Sequence, residues 1–184
     1  MDEILLNAEE GMQKAVDHLA QEFASLRTGK ASPALVDGVM VEAYGSQMRL
    51  REVANVAVPE ARQIVIQPYD ISTMQAIEKG IQKANLGLNP AVDGKVLRLV
   101  IPEMSEERRV EVTKVAKKYS EEARVAIRHS RREAIDGMKK SSKDGSLTED
   151  EVAKGEKEVQ KLTDTYVKKV DDLLSAKEKE IMTI

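Results

Sequence analysis

The chain has 184 residues, 33 % of them charged, 41 % hydrophobic and 3 % aromatic, with a net charge of −3. The absence of Cys excludes disulfides, thiolate nucleophiles and Cys-ligated metals, His18 and His129 have no metal-ligand spacing, and one Phe, four Tyr and no Trp argue against a base-stacking sheet. No apolar run approaches the roughly 18 residues of a membrane span, and the acidic start Met1-Asp2-Glu3 lacks the layout of a signal peptide, so the expectation is a soluble cytoplasmic protein with no membrane partner.

All five prolines fall between Pro33 and Pro102. Proline breaks helix interiors, so the ends of the chain read as long helices and the middle as a strand-containing insert. The first helix is predicted over Asp2 to Arg27, where Met12, Val16, Leu19, Phe23 and Leu26 recur at alternating spacings of four and three, a heptad seam. A connection follows, Arg27-Thr28-Gly29-Lys30-Ala31-Ser32-Pro33. In the insert, Val39 to Tyr44 and Gln47 to Leu50 flank Gly45-Ser46 as a hairpin. Val53 to Val58, Ile64 to Gln67 and Val96 to Ile101 are further strand candidates, with one helix over Ser72 to Asn85 capped by Ser72.

The return connection is Ile101-Pro102-Glu103-Met104-Ser105. Two adjacent connections, each with a breaker, Gly29 and Pro102, read as a hinge. The second long helix starts after Ser105, with Glu106 and Glu107 in its first turn, and its apolar stripe reads Val112, Val115, Tyr119, Ala123, Ala126, Ser130, Ala134, Met138. The third starts at Thr148, where Glu151 completes a capping box. Its stripe reads Val152, Val159, Leu162, Tyr166, Val170, Leu173. The expected fold is α+β in two domains: a discontinuous three-helix bundle, residues 1–29 and 104–184, with a β/α domain inserted over 30–103.

No enzyme signature survives inspection. Gly29-Lys30 is followed by Ala31 with Ala24 where a P-loop needs Gly, and Gly94-Lys95 is followed by Val96. Charge is informative instead. Ser105 to Lys140 holds 11 Lys or Arg and 7 Asp or Glu, a net of +4 that leaves −7 for the remainder. At 100° per residue, Arg124, Arg128, Arg131 and Arg132 gather on one side of the second helix, roughly opposite its expected core stripe. Arginine suits bidentate contact with phosphate, so the expected partner is anionic, a structured phosphate backbone. The alternative for the same seam and charges is a coiled-coil-type interaction protein whose helices pair with a partner's.

Several motifs in order, Leu26-Arg27-Thr28-Gly29-Lys30-Ala31-Ser32-Pro33, Asp37-Gly38, Leu86-Gly87-Leu88-Asn89-Pro90, Glu106-Glu107-Arg108-Arg109 and Ala123 to Arg132, closely resemble bacterial ribosome recycling factor over essentially the whole chain. The resemblance implies an L-shaped monomer of tRNA-like dimensions. Such a protein is no enzyme and carries no cofactor or metal. It binds the post-termination ribosome, mainly through large-subunit rRNA, and with elongation factor G and GTP separates the subunits, releasing mRNA and tRNA. It also implies that Arg131 and Arg128 grip rRNA, that Arg27 and Arg109 are basic positions near the hinge end of the bundle, and that Gly29, Lys30 and Pro102 form the hinge.

Overall fold

The computed structural model describes residues 1–183. In chain order the elements are α1 (Asp2–Ser25), β1 (Met40–Ala43), β2 (Ser46–Arg49), α2 (Leu50–Val53), β3 (Ala54–Glu60), β4 (Gln63–Pro68), α3 (Met74–Lys83), β5 (Pro90–Asp93), β6 (Val96–Val100), α4 (Glu106–Lys143) and α5 (Glu149–Met182). They form two compact units, Met1–Phe23 with Val110–Thr183, and Ala24–Arg109. Residues 24–29 and 104–109, read from the sequence with the bundle, group with the second unit.

In the first unit α1, α4 and α5 bury one stripe each. Ala8, Met12, Val16, Leu19 and Phe23 face inward from α1. Contacts along the helices give their directions. Gly137 faces Ile4 while Gly11 faces Ser130, so α1 and α4 are antiparallel. Lys139 pairs with Glu156 and Lys117 with Glu178, each at 3.8 Å, so α4 and α5 are antiparallel too. Gly155 is required for close approach, because a Cβ there would lie 2.6 Å from the Met138 sulfur and 2.7 Å from that of Met1. The α5 start is as expected, with the Thr148 hydroxyl accepting from the Glu151 N–H and the Glu151 carboxylate accepting from the Thr148 N–H.

The buried stripe of α4 differs from the expected one. Val112, Ala116, Ser120, Ala123, Ile127, Ala134 and Met138 are buried, whereas Val115 and Ala126 are exposed and Tyr119 is half-buried. At 100° per residue the core line lies about 50° round the helix from the sequence reading. Ala116, Ser120, Ala123 and Ala134 let the helix backbones approach between the larger Val112, Ile127 and Met138, and Val115 and Tyr119 fall on the flank of the seam. Ser120 is buried without an orphaned polar group, since its hydroxyl donates to the Ala116 carbonyl at 2.9 Å. Leu26 lies past the end of α1 and is only half-buried.

In the second unit β1 and β2 form the expected hairpin, but its turn is Tyr44 and Gly45, both at positive φ, 54° and 76°, one residue earlier than the expected Gly45-Ser46, and Ser46 pairs with Ala43 in the ladder. A separate antiparallel sheet has the order β3-β4-β6-β5. Ile64, Ile66, Leu97 and Leu99 alternate onto one face and are fully buried in one core with Met74, Ile77 and Ile81 of α3. Gly80 lets α3 lie against β1, since a Cβ there would stand 2.7 Å from the Met40 carbonyl oxygen. Three elements depart from expectation. β5 begins at Pro90, a residue tolerated at the start of an edge strand. α2 is a single turn. The cap before α3 is Asp70, whose carboxylate accepts the Ser72 N–H at 2.9 Å over a short 3-10 turn, in place of Ser72 itself.

The segments that enter and leave this unit are held at one place. The Ala31 N–H donates to the Ala61 carbonyl at 2.7 Å and the Ile101 N–H to the Arg62 carbonyl at 2.8 Å. The Arg62 guanidinium also pairs with the Glu103 carboxylate. The β3–β4 turn thus clamps both connecting strands.

Candidate nucleic-acid interface

α4 positions the arginines that the sequence brought together. Because the core line of α4 is rotated, Arg124 and Arg131 stand on the shoulder facing α5 rather than opposite the core. Arg124 is the most engaged, with a side chain only 21 % exposed. Its Nη2 and Nε donate to one oxygen of Asp171 on α5 at 2.6 and 3.1 Å, and its Nη1 donates to Glu121 at 3.1 Å. Its pKa is raised, chiefly by the hydrogen bond to Asp171, with partial burial opposing and Glu121 adding to the rise.

Arg128 donates to the other oxygen of Glu121 at 2.9 Å. Arg131 donates to the Gln160 side-chain carbonyl at 3.2 Å, so its partner is neutral and its charge stays uncompensated. Arg132 is exposed and has no ion pair among the described residues. One glutamate and one aspartate therefore divide the four guanidiniums. Arg124 is committed to the fold, Arg128 is shared, and Arg131 and Arg132 keep a charge to offer. Nothing in the sequence signals Asp171 or Gln160, which reach α4 from another helix.

Arg27, Gly29, Lys30 and Pro102 lie together, lining one cleft of about 340 Å³ within the second unit, floored by Leu35, Leu86, Leu88, Ile101 and Met104. Gly29 has φ +79°, a conformation that favours glycine. Arg109, half-buried, sits in the first turn of α4 outside that cleft. His18 and His129 are exposed and pair with Glu22 and Glu133 one turn on, as helix-surface groups do. Among the described residues there is no cluster of three or more metal-ligating side chains, and no helix is long and apolar enough to cross a membrane.

Comparison with known proteins bears on what this face meets. The profile of the family described as "Ribosome recycling factor" matches residues 19–182. The ribosome-recycling factor of Caldicellulosiruptor saccharolyticus is 52 % identical over all of both chains. That of Symbiobacterium thermophilum is 53 % identical over 99 % of this chain and 98 % of its own. A solution structure of the ribosome recycling factor superposes with a TM-score of 0.81 at 43 % identity, covering 100 % of this chain and 97 % of that one. A Thermus thermophilus factor, in a structure with Escherichia coli elongation factor G on the E. coli post-termination complex, aligns with a TM-score of 0.69 at 42 % identity over 99 % of this chain and 98 % of that one.

Proposed function

The chain belongs to the ribosome recycling factor family, and from that premise we propose how its residues carry out the family's work. It is a translation factor that binds the post-termination ribosome. With elongation factor G and GTP it separates the subunits and so releases mRNA and tRNA. The observation that carries this is the match along the whole chain to relatives of that name, one of them bound beside elongation factor G on a post-termination complex.

In our reading the α4 face is the rRNA contact. Arg131 and Arg132 supply the available charge, Arg128 contributes once Glu121 is shared out, and Arg124 holds α4 to α5 beneath them. Arg27 and Arg109 add basic contacts at the hinge end of the bundle. Gly29, Lys30 and Pro102 form a hinge between a bundle of residues 1–29 and 104–184 and an inserted domain of 30–103. The protein performs no chemistry of its own and works in the cytoplasm. The energy comes from the GTPase, and stiff helices in register transmit it as displacement.

Light scattering of post-termination ribosomes tests this. Scattering falls only when this protein, elongation factor G and GTP are all present. No fall, together with no co-sedimentation of the protein with ribosomes, refutes the reading.

A further inference from the structure

We infer that the outward face of α5 is a second phosphate-binding surface, on which Lys157, Lys161 and Lys168 take the sugar–phosphate backbone of RNA. The inference rests on the ribosome-binding reading above and adds a face of the bundle to it. Val159, Thr163, Tyr166 and Val170 define the buried side of α5. At 100° per residue the three lysines lie within about 30° of the line directly opposite. All three are exposed.

Lysines without an ion pair among the described residues occur elsewhere too, Lys14, Lys79, Lys95 and Lys114 among them, but on α5 Lys157, Lys161, Lys168 and Lys179 share one outward line. Lys117, Lys118, Lys139 and Lys177 each have a carboxylate within 4 Å, and Lys169 lies over the Tyr166 ring. Lys157, Lys161 and Lys168 have no ion pair among the described residues. Of the acids nearby, Glu156 is taken by Lys139, Asp171 by Arg124, and Asp164 accepts from Gln160, while Asp172, one turn beyond Lys168, shares the outward side. Lys157 and Lys161 stand one turn apart, and like charges at that spacing destabilise a helix. The fold gains nothing from the Lys157 and Lys161 pair, whereas a polyanion would relieve it. Lysine serves as a point charge for phosphate. The row rises about 16 Å along the axis at 1.5 Å per residue, enough to meet several phosphates of one RNA strand.

The test replaces all three, Lys157→Gln, Lys161→Gln and Lys168→Gln, and measures affinity for isolated 70S ribosomes over a salt series. A control of equal charge change carries Lys79→Gln, Lys83→Gln and Lys95→Gln on the second unit. Each phosphate contact contributes about 0.7 to 0.9 to the slope of log affinity against log salt. The α5 variant is expected to flatten that slope by about 2, while its helical content is kept and its melting temperature does not fall. The control should leave the slope near that of the unsubstituted protein. An unchanged slope in the α5 variant overturns the inference. So does an equal flattening in both variants, which would be a net-charge effect, and so does weaker binding at unchanged slope, which would put a protein against the row. Failure of the unsubstituted protein to bind ribosomes removes the ribosome-binding reading and this inference together.

Discussion

Arg124→Ala should injure the fold more than the ribosome contact, the reverse of its neighbours. The guanidinium is 21 % exposed and places two donors on one Asp171 oxygen, while Asp171 is 54 % exposed. Hydrogen bonds to charged groups contribute about 1.5–3 kcal/mol when buried, and exposed ion pairs contribute about 0.2–1 kcal/mol. With one partner half in solvent, the expected loss is about 1 kcal/mol, or roughly 2–4 °C in melting temperature for a chain of this size. Denaturation followed by helical circular dichroism measures it. A double-mutant cycle with Asp171→Ala should return most of that loss as coupling energy. Arg132→Ala, which removes no ion pair, should leave stability within about 0.5 kcal/mol and weaken ribosome binding more than Arg124→Ala does. A stable Arg124→Ala with zero coupling to Asp171 would refute the division of the arginines into structural and available groups.

Arg131→Ala should weaken ribosome binding by about 1–3 kcal/mol without loss of helix, because its partner is a neutral Gln160 on the surface; unchanged affinity would take Arg131 out of the contact. Gly80→Ala forces a methyl against the Met40 carbonyl and should destabilise the second unit by about 1–3 kcal/mol, visible as a lowered unfolding midpoint in urea. The Glu151 carboxyl is held below its ordinary range by the Thr148 N–H and then its hydroxyl, and that of Asp70 by the Ser72 N–H first. Both contributions are therefore present above the ordinary carboxylate range and disappear as pH falls through the lowered folded values. Glu151→Gln should be less stable than the parent at neutral pH and converge with it in acid; a constant gap across pH would contradict the capping role.

Element type was legible wherever local chemistry decided it. The Thr148 and Glu151 box and the Pro-free heptads specify their structures from neighbouring residues alone, and the hairpin was legible although its turn sits one residue earlier than Gly45-Ser46. The α4 stripe was misread because its seam is partly small residues, so the line through Val115, Tyr119 and Ala126 drew the pattern off Ile127 as well. Ala116 and Ser120 carry little hydrophobic signal, although they are what the other helices pack upon. β5 was missed because its edge position tolerates Pro90, which reads as a breaker. The arginine cluster was visible in sequence, but its electrostatics were not. Asp171 and Gln160 neutralise or orient it across a helix pair that only the assembled bundle creates.

The clamp at Ala61 and Arg62 bears on the order of assembly. α1 ends at Ser25 and α4 begins at Glu106, so a bundle nucleating first would close a loop of roughly 80 residues. Once the β3–β4 turn has captured Ala31 and Ile101, the ends to be joined are about 12 residues apart along the effective path. Shortening a loop from roughly 80 to about 12 residues recovers about 1.7 kcal/mol of closure entropy. The inserted unit then acts as an internal staple that folds early and hands α1 to α4. Gly80→Ala, which touches no bundle residue, is accordingly expected to slow the appearance of bundle tertiary structure in stopped-flow refolding. Unaltered bundle kinetics in that variant would show that the helices find one another first.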